Sequence, residues 1–198
     1  MQNSTSKVRV LTGTAMLGAV VAVLMYLEFP IPIMPAFVKL DVSELPALIA
    51  SFAYGPVSGI LVCLIKNLIK LPSTSTAAVG ELFNFVMGAL FVGVAGLIYK
   101  RNKTRKGAIV GALLGALVMA VVSVPYNYFI VYPAYVVMYH LPLDAIIGMY
   151  QAINPNVNGL LACLLVFNLP FTFVKGALDA VLCFLVYKPL SPILHGRK

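Results

Sequence analysis

Charged side chains are scarce in this sequence. Of its 198 residues only 10% are Asp, Glu, Lys or Arg, whereas 61% are hydrophobic and the mean hydropathy is +0.98. A water-soluble domain of this composition would expose large apolar patches, so the scarcity of charge argues against a soluble protein. The composition is typical of a helical membrane protein, and the length allows about six short crossings and no sizeable soluble domain.

Acidic residues are rarer than basic ones, with 6 Asp and Glu against 14 Lys and Arg and a net charge of +8. In a soluble protein this excess would suggest a nucleic-acid partner. In a membrane protein basic residues mark the cytoplasmic side instead, so we expect no nucleic acid. Ten of the fourteen form three clusters: Lys7 and Arg9; Lys100, Arg101, Lys103, Arg105 and Lys106; Lys188, Arg197 and Lys198. The clusters predict that both termini and the central basic loop are cytoplasmic.

Catalytic and metal-binding motifs are also lacking. Cys63, Cys163 and Cys183 stand alone in apolar segments, which predicts buried reduced thiols and no metal site. No HExxH, GxSxG or Walker A motif occurs, and His140 near Asp144 is the best available acid–histidine pair. An intramembrane enzyme is therefore the less favoured alternative, and we expect no catalytic residues.

Apolar runs predict an all-α integral membrane bundle of six transmembrane helices, at about residues 8–29, 44–54, 57–71, 78–99, 107–131 and 157–187. The first run lacks a small-x-small cleavage site, which favours a helix over a signal peptide. The turn signal Gly55-Pro56 divides the second run into two short helices. They span only about 17 Å and about 23 Å, but the division returns the strongest basic loop to the cytoplasm.

The connection at residues 30–43 has three prolines, which exclude a helix, and ends at Ser43, a residue type that caps helices. Irregular backbone at membrane depth is tolerated only where it is buried in protein or lines a cavity. We therefore predict that residues 30–43 form a lid over an outward-facing pocket. Residues 132–156 are predicted to form a second outer loop, in which residues 142–153 suit the membrane interface. Its tyrosines are expected in an aromatic belt: Tyr132, Tyr135, Tyr139 and Tyr150.

Polar residues of three predicted helices converge in the outer half of the membrane. Measured from the nearest basic cluster at 1.5 Å per residue, Lys175 lies about 20 Å up, Asn84 about 24 Å and Asn127 about 31 Å. This places all three level with the predicted lid. An amide offers a donor and an acceptor to a planar or polyol ligand, and the tyrosines around Asn127 can stack on a ring. The alternative for Asn127 is an amide bridge between helices.

The last predicted helix carries Asn168, Thr172, Lys175 and Asp179 on one face. Lys175 and Asp179 are spaced for an i,i+4 ion pair. One interpretation is a pair that only neutralises itself and holds helices together. The other is that Lys175 donates to a ligand oxygen while Asp179 holds it in place.

The first predicted helix carries a stripe of small residues, Ala15, Ala19 and Ala22, with Gly18 beside it. Such a stripe lets another helix approach closely. The sequence leaves open whether that helix belongs to this chain or to another membrane subunit.

Five segments, in order along nearly the whole chain, resemble the riboflavin-binding S-components of energy-coupling factor (ECF) transporters, the RibU family. They are FPIPIMPAFVKLDVSELPALIASFAYGPVSGILV, KNLIK, AAVGELFNFVMG, NYFIVYPAY and LPFTFVKG. The resemblance implies a six-helix fold with cytoplasmic termini, in a bacterial cytoplasmic membrane. It also implies a flavin site closed by the first outer loop, with riboflavin as transported ligand and no cofactor. S-components for thiamine or biotin share this architecture and are the alternative.

The resemblance also implies roles for individual residues. The family's ligand contacts fall on Lys39, Ala78, Asn84, Asn127 and Lys175. In the family pattern Asn-x-x-Lys of the last helix, Thr172 stands in place of the asparagine, and Asn168 lies one turn earlier as a substitute. Ala15 and Ala19 would dock on the coupling subunit EcfT, and two separate ATPase subunits would supply the energy.

Overall fold

Helices make up nearly all of the regular structure. The computed structural model describes residues 2–35, 38–74 and 78–195, with side chains described between 7 and 187. The helices are α1 (Gln2–Leu24), α2 (Glu44–Tyr54), α3 (Pro56–Lys70), α4 (Val79–Arg101), α5 (Arg105–Tyr126), α6 (Tyr132–Tyr139), α7 (Leu143–Gln151), α8 (Leu160–Cys163) and α9 (Leu169–His195). Strands β1 (Phe29–Pro30) and β2 (Lys39–Leu40) pair antiparallel, and we name this pair the ribbon.

Five helical runs among the described residues are long and apolar enough to cross a membrane. They are Lys7–Leu24, Pro56–Ser73, Val79–Arg101, Arg105–Tyr139 and Leu160–Tyr187. α2 has 11 residues, most of them buried, and at about 17 Å it is too short to cross a hydrocarbon core alone. The chain is thus an all-helical bundle suited to a membrane, with α2 packed inside it.

α1 ends at Leu24 rather than at residue 29 as predicted. The chain leaves the helix because Phe29 enters the ribbon, where it pairs with Leu40. Pro30 also disfavours a helical conformation for the residue before it. The ribbon brings the two ends of the predicted lid side by side.

α2 and α3 are separated by Gly55, which has a φ of +107°. Glycine adopts this conformation without steric cost, and Pro56 suits the first position of α3 because its missing N–H would have no partner there. The turn lies where the Gly55-Pro56 signal predicts it. The two helices begin and end within one residue of 44–54 and 57–71.

Contrary to the prediction, residues 132–156 do not form a loop throughout: helical structure continues from α5 into α6, and α7 covers most of the segment 142–153 that was predicted for the interface. A π-helical segment, Asn127–Val131, joins α5 to α6. A proline ring clashes with the carbonyl four residues earlier in an α-helix, and the wider π turns precede Pro133. The same sequence of features recurs at the π-helical segment Leu164–Asn168, which precedes Pro170.

α5 packs between α4 and α9, and small residues set the spacing. A Cβ added to Gly115 would lie 2.5 Å from the carbonyl oxygen of Phe91 on α4. A Cβ added to Gly176 would lie 2.8 Å from the Cβ of Ala116 on α5. The backbones therefore approach closely, as in other membrane helix pairs, and the polar residues of α4, α5 and α9 are brought to one end of the bundle.

Candidate binding site

A cavity of about 190 Å³ lies beside the ribbon, between α4, α5 and α9, and we name this end of the bundle the ribbon end. Its polar and charged lining residues are Glu28, Lys39, Asp41, Glu44, Lys70, Glu81, Asn84, Asn127, Asn168, Thr172 and Lys175. The structure therefore brings together six of the seven residues that the sequence proposes as ligand contacts. Ala78 is not among the lining residues in the described part of the chain; it lies at the N-terminus of α4 with a φ of +68°.

Aromatic and apolar side chains supply the remaining wall of the cavity. They are Val38, Phe83, Met87, Met119, Val131, Tyr132, Tyr135 and Phe171. Phe83 stands next to Tyr126, with ring centroids 5.6 Å apart. The cavity thus combines aromatic and apolar surface with many polar and charged groups, and it is more polar than the usual small-molecule site.

The polar side chains that line the cavity differ in how many hydrogen bonds they already make within the protein. Asn127 is buried, and its Nδ2 donates to the carbonyl oxygen of Ser123 at 2.8 Å. Its Oδ1 accepts no hydrogen bond among the described residues. Asn84 and Thr172 line the cavity with no side-chain hydrogen bond to other described residues. Their polar atoms are available to a ligand.

Asn168 is held by two tyrosines. The hydroxyl of Tyr150 donates to Asn168 Oδ1 at 2.7 Å, and Asn168 Nδ2 donates to the hydroxyl of Tyr132 at 3.4 Å. The two tyrosine hydroxyls lie 2.5 Å apart. The network fixes the orientation of the amide and leaves one N–H of Nδ2 uncommitted.

The prediction of a Lys175–Asp179 ion pair is wrong. Lys175 Nζ donates instead to Asp41 Oδ2 at 2.7 Å, and both side chains are 13% exposed. Side chains on a helix point toward its N-terminus, so Lys175 reaches from α9 toward the ribbon, away from the next turn. Both carboxylate oxygens of Asp179 are buried and lack a hydrogen-bond partner among the described residues.

Asp41 also organises the start of α2. Its Oδ1 accepts from the backbone N–H of Ser43 at 2.9 Å and from the Ser43 hydroxyl. Lys66 donates to that hydroxyl oxygen at 3.0 Å and forms a buried ion pair with Glu44. The hydrogen bonds thus run without a break from α9 through Asp41 and Ser43 to α2 and α3.

The ribbon is tied to the bundle by Glu28. This carboxylate accepts from Lys39 at 2.8 Å and from Lys70 at 2.6 Å. Burial raises the pKa of Glu28, but the two lysines outweigh it and hold the pKa below its ordinary value. Burial acts on Asp41 in the same way, and the charges of Lys175 and Lys66 hold its pKa well below the usual range. Both carboxylates are therefore charged at neutral pH.

Two expectations concern features other than ligand contacts. The described residues contain no group of three or more His, Cys, Asp and Glu side chains that could hold a metal ion. Ala15 and Ala19 are exposed on α1, whereas Gly18 beside them is buried against Ile65. Among the described residues, Ala15 and Ala19 thus face outward from the bundle while Gly18 packs against α3.

Some residues of the site were not singled out from the sequence. Asp41 and Glu28 were missed because their partners are distant in the chain and only the folded ribbon brings them together. Tyr132 and Tyr150 were assigned to an aromatic belt, yet both are buried. Their spacing did not indicate burial, because the predicted outer loop would place both tyrosines at the membrane interface.

The chain resembles known proteins over nearly its whole length. A family model described as "ECF transporter, substrate-specific component" matches residues 9–187. The riboflavin transporter RibU of Staphylococcus aureus (strain TCH60) is 33% identical over 180 residues, which are 91% of this chain and 89% of the relative. The riboflavin transporter FmnP of Bacillus subtilis (strain 168) is 34% identical over 195 residues, 97% of each chain. A solved S component of a bacterial ECF transporter is 32% identical, with a TM-score of 0.73, over 98% of this chain and 99% of that one.

Proposed function

This chain belongs to the substrate-specific components of ECF transporters, and we propose that it binds riboflavin for uptake into a bacterial cell. Members of this family are transporter subunits, so the chain is not an enzyme. The observation that carries the proposal is the cavity at the ribbon end. Polar side chains from three helical runs meet there, in a chain 34% identical to a riboflavin transporter over 97% of its length.

The lining matches the chemistry of riboflavin. The ligand is uncharged, with a planar ring system that carries carbonyl and imide groups and a chain that carries hydroxyls. Phe83 and Tyr132 offer aromatic faces and apolar area to the ring. Asn84 and Asn127 offer both donors and acceptors, and Thr172 offers a hydroxyl. We propose that Asn168 contributes its remaining N–H, and that Ala78 and Lys39 contribute from the rim of the cavity.

We propose that the lid moves when the ligand binds. The cavity of about 190 Å³ is smaller than the range of roughly 300–1,000 Å³ found for ligand pockets. Asp41 lines the cavity and accepts a hydrogen bond from the ammonium group of Lys175. We propose that riboflavin displaces Asp41, so that Lys175 donates to an oxygen of the flavin instead.

The positions of the basic clusters suggest how the protein is oriented in the membrane. We propose six crossings, formed by α1, α2, α3, α4, the run from α5 to α6, and the run from α8 to α9. The basic clusters then lie in the cytoplasm together with both termini. The ribbon end faces outward, α2 crosses only with the help of the lid residues before it, and the protein is a multi-pass protein of the cytoplasmic membrane.

The transporter family also suggests partners. We propose that Ala15 and Ala19, which are exposed, dock on a transmembrane coupling subunit of the EcfT type. Two ATPase subunits would provide the energy. The proposed ligand is transported, and no cofactor is needed for recognition alone.

A titration of the purified protein with riboflavin tests the proposal. We expect saturable quenching of flavin fluorescence with one site per chain, and no displacement by thiamine or biotin. A Lys106→Met variant serves as the control, since it removes a lysine from the opposite end of the bundle and should bind equally well. Folded protein that fails to quench flavin fluorescence would contradict the proposal, and displacement by thiamine or biotin would reassign the ligand.

A further inference from the structure

A second cleft, of about 300 Å³, lies at the opposite end of the bundle, where the turn between α2 and α3 meets the C-terminal part of α4. We name it the basic-end cleft. Its lining residues are Ser51, Phe52, Ala53, Tyr54, Gly55, Pro56, Val57, Gly96, Tyr99, Lys100 and Lys103. We propose that this cleft binds the phosphate-bearing headgroup of an anionic phospholipid.

Charge is the first argument. Lys100 and Lys103 line the cleft and are exposed. All six acidic residues of the sequence lie elsewhere: Glu28, Asp41, Glu44, Glu81, Asp144 and Asp179. Among the described residues, no carboxylate side chain lines the cleft to neutralise the two lysines, and a phosphate can take that place. The N-terminus of the 15-residue helix α3 adds a partial positive charge on the same side.

The rest of the lining is apolar and aromatic, which favours an amphiphile over a free anion. Phe52 and Tyr99 pack edge to face with ring centroids 5.0 Å apart, and Val57 is 69% exposed. Such side chains contact acyl chains and the glycerol region at a membrane interface, where tyrosines are enriched. The cleft thus combines a cationic rim with an apolar wall, as lipid headgroup sites between transmembrane helices do.

The backbone of the turn keeps the cleft open. A Cβ added to Gly55 would meet nothing within 4 Å, so the turn faces free space. A Cβ added to Gly96 would lie 2.1 Å from the hydroxyl of Ser51, so α4 and α2 are in close contact beneath it. That hydroxyl already donates to the carbonyl oxygen of Val92 at 2.7 Å. The floor of the cleft is therefore closely packed, and ligand recognition falls to the two lysines on its rim.

Native mass spectrometry of the full chain in detergent tests the assignment, with phosphatidylglycerol as the probe and phosphatidylcholine as the neutral comparison. We expect phosphatidylglycerol alone to be retained. The double variant Lys100→Gln/Lys103→Gln should weaken its retention about thirtyfold, since each lysine near an anionic headgroup contributes about fivefold. The control, Arg105→Gln/Lys106→Gln, removes the same charge outside the cleft and should lower retention about twofold at most.

Other results would overturn the assignment. Equal losses in both double variants would mean that the lipid is attracted by the net charge alone. Displacement of the lipid by millimolar inorganic phosphate would identify a site for soluble anions. The wild type could instead bind no lipid, while the Lys100→Gln/Lys103→Gln variant alone fails to bind a coupling subunit. That result would assign the cleft to a protein partner. Thermal unfolding of each variant checks the fold without reference to riboflavin, so a failure of flavin binding would not affect the result.

Discussion

At the ribbon end, each lysine that lines the cavity is paired with a carboxylate within the protein. Lys39 and Lys70 share Glu28, while Lys175 pairs with Asp41. At the basic end, residues 100–106 contain five basic residues and no acidic one. The first end lies in the protein interior around a cavity, and the second lies on its surface.

The difference follows from the cost of charge at depth. An uncompensated charge in the hydrocarbon region costs at least about 2.5 kcal/mol on insertion scales, so the ribbon end must be balanced internally. Its balance leaves a polar but nearly neutral cavity, which suits an uncharged vitamin. The basic end reaches water and can keep its net charge, which suits an anionic headgroup. Substitutions that remove charges or hydrogen bonds at the ribbon end should therefore alter this balance to different extents.

The largest effect is expected from breaking the most deeply buried pair. Lys66 and Glu44 are each 4% exposed in their side chains, so Lys66→Met leaves a carboxylate buried without its partner. We expect a loss of about 3–5 kcal/mol in stability, measured by thermal or denaturant unfolding in detergent. Lys66→Met/Glu44→Leu removes both charges and should recover most of the loss. If the double variant is no more stable than the single one, the pair does not act as a matched unit.

The pair between the lid and α9 tests whether Lys175 serves the ligand. Lys175→Met should weaken riboflavin binding about 10–150-fold, the value of a hydrogen bond of about 1.5–3 kcal/mol to a charged group. Asp41→Asn frees the ammonium group and should leave riboflavin affinity unchanged or higher, measured by fluorescence quenching. If Asp41→Asn weakens binding as much as Lys175→Met does, the pair is a structural element of the lid. Lys175→Met could also yield less folded protein, with unaltered flavin affinity in the molecules that do fold. That result would support the same conclusion.

The sequence was informative where local rules apply. The Gly55-Pro56 turn follows from backbone preferences of those two residues. The end of α1 does not, because the helix stops at Leu24, before the ribbon that pairs Phe29 with Leu40, and not at residue 29 as predicted. The convergence of Asn84, Asn127 and Lys175 required only helix geometry and the basic anchors. These features depend on residues close in the chain or on a constant rise per residue.

What could not be predicted depends on distances that only the fold sets. Lys175 has an acid at i+4 and another in the lid, far away in sequence, and local spacing favours the wrong one. The choice is made by the direction of the lysine side chain and by the ribbon, which presents Asp41. Helix α6 was missed because the fifth helix was predicted to end at residue 131, whereas the π-helical segment Asn127–Val131 continues the helical structure into Tyr132–Tyr139.

A smaller effect is expected from the tyrosine network behind the cavity. Tyr150→Phe removes the donor to Asn168 Oδ1 while keeping the ring packed against Phe167. We expect riboflavin affinity to fall about fivefold, since one neutral hydrogen bond contributes about 1 kcal/mol. Tyr139→Phe is a suitable control, because Tyr139 does not line the cavity among the described residues. Equal losses of affinity in the two variants would remove any specific role of Tyr150 in orienting Asn168.

The smallest effect is expected from acidification. The lysines hold the pKa of Glu28 below its ordinary value, so its contribution to the folded ribbon is complete above the unfolded pKa of about 4.3 and is lost only as the pH falls through the lower folded value. The rate of riboflavin release, followed by recovery of flavin fluorescence, should therefore change less than about twofold between pH 8 and pH 5. Glu28→Gln should speed release by no more than about fivefold across that range, because partly exposed pairs contribute about 1 kcal/mol or less. The release rate of the wild type could instead rise steeply as the pH falls from 8 to 5, with no such rise in Glu28→Gln. That result would show that the lysines do not keep this carboxylate charged.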